Sequence, residues 1–164
     1  MFLHAEEFTQ GDFVYTTTSE ANVVTLKGLS SSGANKTSLT IPGYTFNAST
    51  QKYFQVKTID ASAFINNTKI TQVRIEPGVE IMYGYVFYGC YNLTTVALPS
   101  TLKQMGNYVF YNCPIQYIDC AAETMPTFST FALDEMKTVS GTRWWREGTS
   151  AGVSAAKSNS TITS

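Results

Sequence analysis

Two closely similar stretches decide the fold of this chain: Tyr85-Val86-Phe87-Tyr88-Gly89-Cys90 and Tyr108-Val109-Phe110-Tyr111-Asn112-Cys113. They differ at one position, and the second begins 23 residues after the first. Self-similarity at a fixed period of about 20–50 residues is the sequence signature of a protein built from stacked repeats. The two stretches therefore indicate a repeat protein, and the same spacing continues on both sides of them.

The spacing extends to apolar residues around these stretches. Phe64, Phe87 and Phe110 fall at equal intervals, and each directly follows an alanine or a valine. The other apolar columns are Ile59, Met82 and Met105; Val56, Val79 and Leu102; Val73 and Val96; and Ile75 and Leu98. The third copy lacks one residue after Cys113, so its later equivalents are Ile118 and Cys120. So many apolar positions in register predict one continuous core along the stack.

Each copy also carries a short alternating stretch. In residues 94–98, Val96 and Leu98 alternate with Thr95 and Ala97. A period of two predicts a strand with one face turned inward. The matching stretches are residues 71–75 and 116–120. Because a unit of this length cannot bury its apolar side alone, stacked coils should set these strands side by side as a parallel sheet, with the phenylalanines as an interior column.

The pattern resembles the bacterial leucine-rich repeats of the BspA-like kind, also called the Treponema pallidum type. Their unit reads roughly as an apolar residue, an Ile-Gly pair, Ala-Phe, two residues, Cys, and Leu-x-x-Ile-x-Leu-Pro. The second copy matches through Val79, Met82-Tyr83-Gly84, Val86-Phe87, Cys90 and residues 93–99. The first copy has Asn67 in place of the cysteine. The resemblance implies a β-rich solenoid, a short right-handed leucine-rich-repeat coil with a parallel sheet.

The flanks of the repeats divide the chain into three parts. Residues 8–46 are predicted to form an N-terminal β-hairpin cap, because the ends of a solenoid expose apolar surface and unpaired strand edges. Residues 47–142 hold about three good copies and one degraded copy, whose markers are Phe131, Met136 and Val139. Residues 143–164 are predicted to form an irregular C-terminal cap and a tail rich in serine, alanine and threonine.

The outward row of the predicted sheet is the first candidate binding surface, since solenoids use such extended faces for recognition. It comprises Gln72, Arg74, Thr95, Ala97, Tyr117 and Asp119. The alternative reading is an ordinary solvated strand face.

Two aromatic groups are the other candidates. Trp144 and Trp145 lie between two arginines; they form either a cap over the last coil or an exposed patch for a partner. The tyrosines beside the phenylalanine column suit sugar stacking or half-buried packing, and packing is expected because they flank core positions. These tyrosines are Tyr83, Tyr85, Tyr88, Tyr91, Tyr108 and Tyr111.

The chain carries no recognisable catalytic or cofactor motif. Its only histidine is His4, and its cysteines, Cys90, Cys113 and Cys120, are odd in number and lack the spacing of a zinc site. We therefore expect buried free thiols, no metal, no cofactor and no enzymatic activity. A net charge of -1 gives no electrostatic footprint for nucleic acid. No apolar run reaches the roughly 20 residues of a membrane helix.

By resemblance, the chain is expected to be a non-catalytic cell-surface or secreted module for adhesion, which binds an extracellular protein or another macromolecule through the sheet face. The alternative is a carbohydrate-binding accessory module of a larger secreted protein. Residues 1–7 lack the basic and apolar segments of a signal peptide. Either the protein stays in the cell or a signal has been removed, and the extracellular or surface location implied by the resemblance requires the second.

Overall fold

The computed structural model of the chain describes residues 4–122, 126–129 and 145–146. These residues are rich in strands and contain no α-helix. The strands are β1 (Glu7–Gln10), β2 (Phe13–Thr17), β3 (Val23–Leu29), β4 (Ser38–Ile41), β5 (Tyr44–Asn47), β6 (Lys52–Ile59), β7 (Gln72–Ile75), β8 (Ile81–Met82), β9 (Thr95–Leu98), β10 (Gln104–Met105), β11 (Tyr117–Cys120), β12 (Thr127–Phe128) and β13 (Trp145–Arg146). Within these ranges no helix is long and apolar enough to cross a membrane.

The strands form two sheets, and each coil contributes one strand to each of them. The first sheet has the order β1-β2-β3-β6-β8-β10-β12, with β5 paired to β6. The second sheet has the order β13-β11-β9-β7-β4, and all of its described pairs are parallel. The predicted β-rich solenoid with a parallel sheet is confirmed, and β7, β9 and β11 fall within the three stretches that alternation indicated.

A third set of backbone hydrogen bonds joins the coils at the phenylalanines. The Phe64 N–H donates to the carbonyl oxygen of Val86 at 2.9 Å, and the Phe87 N–H donates to that of Val109 at 2.9 Å. The chain is not assigned as strand there, yet it satisfies its polar groups from coil to coil. Buried backbone groups need such partners, and this ladder supplies them next to the core.

The phenylalanines stack along the interior as the repeat predicted. The ring centroids of Phe64 and Phe87 are 5.1 Å apart, and those of Phe87 and Phe110 are 5.7 Å apart, with planes within 8° and 6° of parallel. Phe87 and Phe110 have no solvent exposure. The edge of Phe13 meets Phe64 at 6.4 Å, so an aromatic ring from β2 covers the N-terminal end of the column.

The cysteines lie inside the same core. All three are buried, and none of these described residues forms a disulfide, so the prediction of buried thiols is confirmed. The thiol of Cys90 donates to the carbonyl oxygen of Phe64 at 3.2 Å, and that of Cys113 donates to the carbonyl oxygen of Phe87 at 2.9 Å. The contact with Cys90 and burial raise the pKa of the Cys113 thiol well above its ordinary value. A thiol held neutral in this way acts as a small apolar side chain.

The N-terminal region combines hairpins with coil strands. β1, β2 and β3 form an antiparallel meander. However, β3 also pairs in parallel with β6, and β4 pairs in parallel with β7. The region predicted as a cap, residues 8–46, thus contributes one parallel-paired strand to each sheet in addition to its hairpin strands, while the domain boundary at residue 46 stays a prediction.

The hairpin of β5 and β6 was missed by the sequence analysis. Its strands pair antiparallel from Tyr44 and Gln55 to Asn47 and Lys52. The Asn47 side-chain carbonyl accepts the N–H of Ser49 at 2.9 Å, which closes the turn. This hairpin lengthens the first unit and interrupts the period ahead of Val56.

The predicted fourth copy and tail fall largely beyond the described residues. Phe131, Met136 and Val139 lie outside them, as does residue range 147–164. Two short segments continue the stack: β12 pairs with β10, and β13 pairs with β11.

Candidate functional site

The outer face of the second sheet carries two registered rows of side chains. The first row runs across four strands through Ser38, Gln72, Thr95 and Tyr117. The second row lies two residues further along each strand and comprises Thr40, Arg74, Ala97 and Asp119. At the usual strand spacing of about 4.8 Å, each row is about 14 Å long.

Burial separates this face from the interior. In β7, Val73 and Ile75 are buried, whereas Gln72 and Arg74 are exposed. In β9 and β11 the outward residues are partly exposed, and their alternating neighbours are buried. The structure therefore brings the six predicted residues of the sheet face together on one surface, while their role in binding stays a prediction.

The face is polar and carries few charges. Arg74 and Asp119 lie in the same row on either side of Ala97, which puts their Cα atoms about 10 Å apart at the usual strand spacing. The ion pairs found in the described part of the chain join lysines to Asp12, Glu20, Asp60 and Glu80. Since none of them includes Arg74, its guanidinium is available to a partner, and Arg is favoured at binding hot spots.

Sequence reasoning missed two residues of this face, Ser38 and Thr40. Both are exposed, and their register with Gln72 and Arg74 extends each row by one strand. The signal was present in Leu39-Thr40-Ile41-Pro42, which has the form of a repeat strand. That stretch was assigned to the cap because the half-repeat that should precede it is missing.

The predicted tryptophan patch is described only in part. Trp144 lies outside the described residues, and Trp145 lies in β13. The backbone of Trp145 pairs with Ile118, and that of Arg146 pairs with Asp119. The choice between a cap and an exposed patch stays open.

The described ranges offer no group of side chains that could hold a metal ion. These residues contain no cluster of three or more histidine, cysteine, aspartate or glutamate side chains. The two adjacent thiols of Cys90 and Cys113 are committed to backbone carbonyl groups. What the sheet face offers chemically is hydrogen bonding and one available cation, which suits recognition.

The family model described as "BspA type Leucine rich repeat region (6 copies)" matches residues 22–139 and 57–161. The chain belongs to the BspA-type leucine-rich repeat family. This result confirms the family that the sequence motifs resembled. The match also begins at residue 22, ahead of the repeats recognised in the sequence, in agreement with the parallel pairing of β3 with β6.

Solved structures of bacterial leucine-rich repeat proteins share this fold. A leucine-rich repeat protein from Bacteroides capillosus superposes with a TM-score of 0.69 at 18% identity, over 85% of this chain and 98% of its own. A leucine rich cell surface protein from Faecalibacterium prausnitzii gives 0.55 at 21% identity, over 70% of this chain and 33% of its own. The leucine rich repeat protein of T. pallidum gives 0.54 at 17% identity, over 71% and 54%. At such identities the likeness establishes the fold alone.

No curated protein matches this BspA-type chain at the sequence level. Membership of the family makes it a protein-interaction or surface-associated repeat module. Such repeats are generally non-catalytic.

Proposed function

We propose that this chain is a non-catalytic adhesion module of the cell surface or of a secreted protein, which recognises an extracellular protein or other macromolecule through the outer face of the second sheet. The observation that carries the proposal is the register of β4, β7, β9 and β11, which gathers two continuous rows of exposed or partly exposed side chains that are polar except for Ala97. Family membership and a neighbour named as a cell surface protein support the surface location.

The face suits many modest contacts on a rigid support. β7, β9 and β11 are held by parallel pairing on both sides, β4 is held by its pairing with β7, and the inward residues of all four strands belong to the buried core. A rigid surface loses little conformational entropy on binding. Several copies on one cell would multiply a modest affinity without new contacts.

A binding assay on the full chain tests this proposal. The probes are immobilised extracellular-matrix proteins, and the variants are wild type, Arg74→Glu and Lys52→Glu. Arg74 is exposed in the middle of the face, and charge reversal there should weaken binding about tenfold or more, the size of a hot-spot loss. Lys52 is an exposed cation on β6 in the first sheet, so its reversal is the matched control.

The two variants separate binding by this face from non-specific attraction. Equal binding by wild type and Arg74→Glu would overturn the assignment of the face. Equal losses in both variants would reveal a general charge effect and would also contradict it. Turnover of any substrate by Arg74→Ala and Tyr117→Ala would contradict the non-catalytic assignment.

A further inference from the structure

A tyrosine array lies beside the phenylalanine column, on residues that the proposed function does not use. It consists of Tyr85, Tyr88, Tyr108 and Tyr111. The centroids of Tyr88 and Tyr111 are 4.7 Å apart with planes at 1°, and those of Tyr85 and Tyr108 are 5.6 Å apart. Within each coil the two rings are 5.7 Å apart. These four side chains line a hollow of about 320 Å³.

The tyrosines of this group range from half-exposed to partly buried. Tyr83, Tyr85 and Tyr91 are 46%, 40% and 50% exposed, and Tyr88, Tyr108 and Tyr111 are partly buried. The expected half-buried packing is found at Tyr85, Tyr88, Tyr108 and Tyr111, whose rings contact one another. The ring of Tyr85 is therefore the solvent-accessible part of the hollow, and the partly buried rings of the other three tyrosines pack around it.

The backbone beneath the array is unfavourable for large side chains. Tyr85 has a φ of 63° and Tyr108 a φ of 54°, and the equivalent Ser62 has a φ of 61°. A residue with a Cβ loses about 1–2 kcal/mol in this left-handed region, which asparagine and glycine tolerate best. A bulky ring is therefore held, partly exposed, at a position where a small residue would be more stable. Strain of this kind concentrates at ligand sites.

The chemistry of the hollow selects the class of ligand. Within the part of the chain that the structure describes, its lining consists of four tyrosines, which present apolar ring surface and hydroxyl groups without charge. Each phenol both donates and accepts hydrogen bonds. A sugar ring has apolar faces bordered by hydroxyl groups that also donate and accept. A proline-rich segment stacks on aromatic rings too, but proline has no N–H, so its backbone only accepts.

We propose that the tyrosine array binds a neutral sugar residue, independently of the sheet face. The two columns run along the stack, so the axis of a bound glycan would follow the solenoid. Tyr85 forms the accessible side of the site. Tyr88 and Tyr111, stacked face to face, line the hollow beside Tyr85.

Calorimetric titration of the full chain tests the proposal. The probes are neutral oligosaccharides of glucose, mannose, galactose and N-acetylglucosamine, an acidic oligosaccharide and a proline-rich peptide. At least one neutral oligosaccharide should bind, and Tyr85→Asn should weaken it by about tenfold, the upper range for a lost aromatic stacking partner. The melting temperature of Tyr85→Asn should stay close to that of wild type, because asparagine relieves the backbone as the ring contacts are lost.

Two further variants define the site. Tyr44→Asn removes an exposed ring of β5 outside the array and should leave sugar binding unchanged. Tyr88→Phe keeps the ring and removes one hydroxyl, so it should weaken sugar binding in a folded protein even if Tyr85→Asn proves unstable. Arg74→Glu should bind the sugar as wild type does, which separates this proposal from the sheet-face proposal.

Four results would overturn the assignment. They are the absence of binding to every neutral oligosaccharide, equal affinity in wild type and both tyrosine-array variants, preference for the proline-rich peptide, and preference for the acidic oligosaccharide.

Discussion

The coils after residue 59 and the N-terminal part before it bury apolar surface in different ways. In the coils, hydrogen-bond partners lie about one repeat apart, as in the parallel pairing of β7 with β9. In the N-terminal part, hairpins pair strands that are close in sequence, such as β1 with β2 and β5 with β6. A coil residue therefore packs against its own equivalents above and below, whereas a hairpin residue packs mainly against local neighbours.

The junction between the two parts shows why both are present. A stack of coils leaves an apolar end that must be covered. Phe13 meets Phe64 at 6.4 Å, and Phe8 stacks on Tyr15 at 5.5 Å and meets Phe54 at 6.0 Å. Aromatic side chains of the hairpins thus pack against one another and, through Phe13, cover the N-terminal end of the column.

The largest expected effect comes from a substitution within the phenylalanine column. Phe87→Ala should lower the free energy of unfolding by about 3–5 kcal/mol, because it removes a fully buried ring between two stacked neighbours. Urea midpoints measure the change. Phe46→Ala is the hairpin counterpart: its ring is partly exposed and lies 4.8 Å from Tyr53, so the loss should be near 1 kcal/mol. Equal losses would contradict the contrast between column and hairpin.

The next effect is specific to the N-terminal part and depends on pH. Burial raises the pKa of Tyr15 from 10.0 to about 12, although a hydrogen bond with Thr45 acts to lower that pKa. The folded state holds the phenol neutral. Its contribution to the free energy of unfolding is therefore complete below pH 10 and is lost as the pH rises towards 12. It amounts to about 2–3 kcal/mol.

Urea unfolding of wild type and Tyr15→Phe between pH 9 and 12 measures this contribution. The variant cannot ionise at this position, so the wild type should lose more stability than the variant over the interval. Parallel curves for the two proteins would show that the phenol of Tyr15 is not kept neutral by the fold.

The smallest effect tests the register of the sheet face. Thr95→Ala should change the free energy of unfolding by no more than about 0.5 kcal/mol, because the side chain points outward. Val96→Ala, one residue later and fully buried, should cost more than about 1 kcal/mol through the loss of buried methyl groups. A larger loss for Thr95→Ala than for Val96→Ala would mean that the strand is rotated by one residue.

Sequence reasoning succeeded in the coils and was incomplete in the N-terminal part. The columns of Phe64, Phe87 and Phe110 were readable because each coil repeats the environment of the last. The β5–β6 hairpin could not be predicted from the sequence pattern, because it interrupts the repeat period and its turn depends on the side chain of Asn47. The role of Ser38 and Thr40 was missed because their strand lacks a recognisable half-repeat, although β4 pairs with β7 in full register.

The amino-acid sequence by itself determined the period, the inward and outward faces of the strands and the family, because a stacked repeat must place the same kind of side chain at the same height in every coil. Only the tertiary structure decided that β3 pairs with the first sheet's coil strands and β4 with those of the second, and that four tyrosines line an open hollow on the surface. Those features depend on contacts between coils and on left-handed backbone at Tyr85 and Tyr108, neither of which has a signature in the order of residues along one chain.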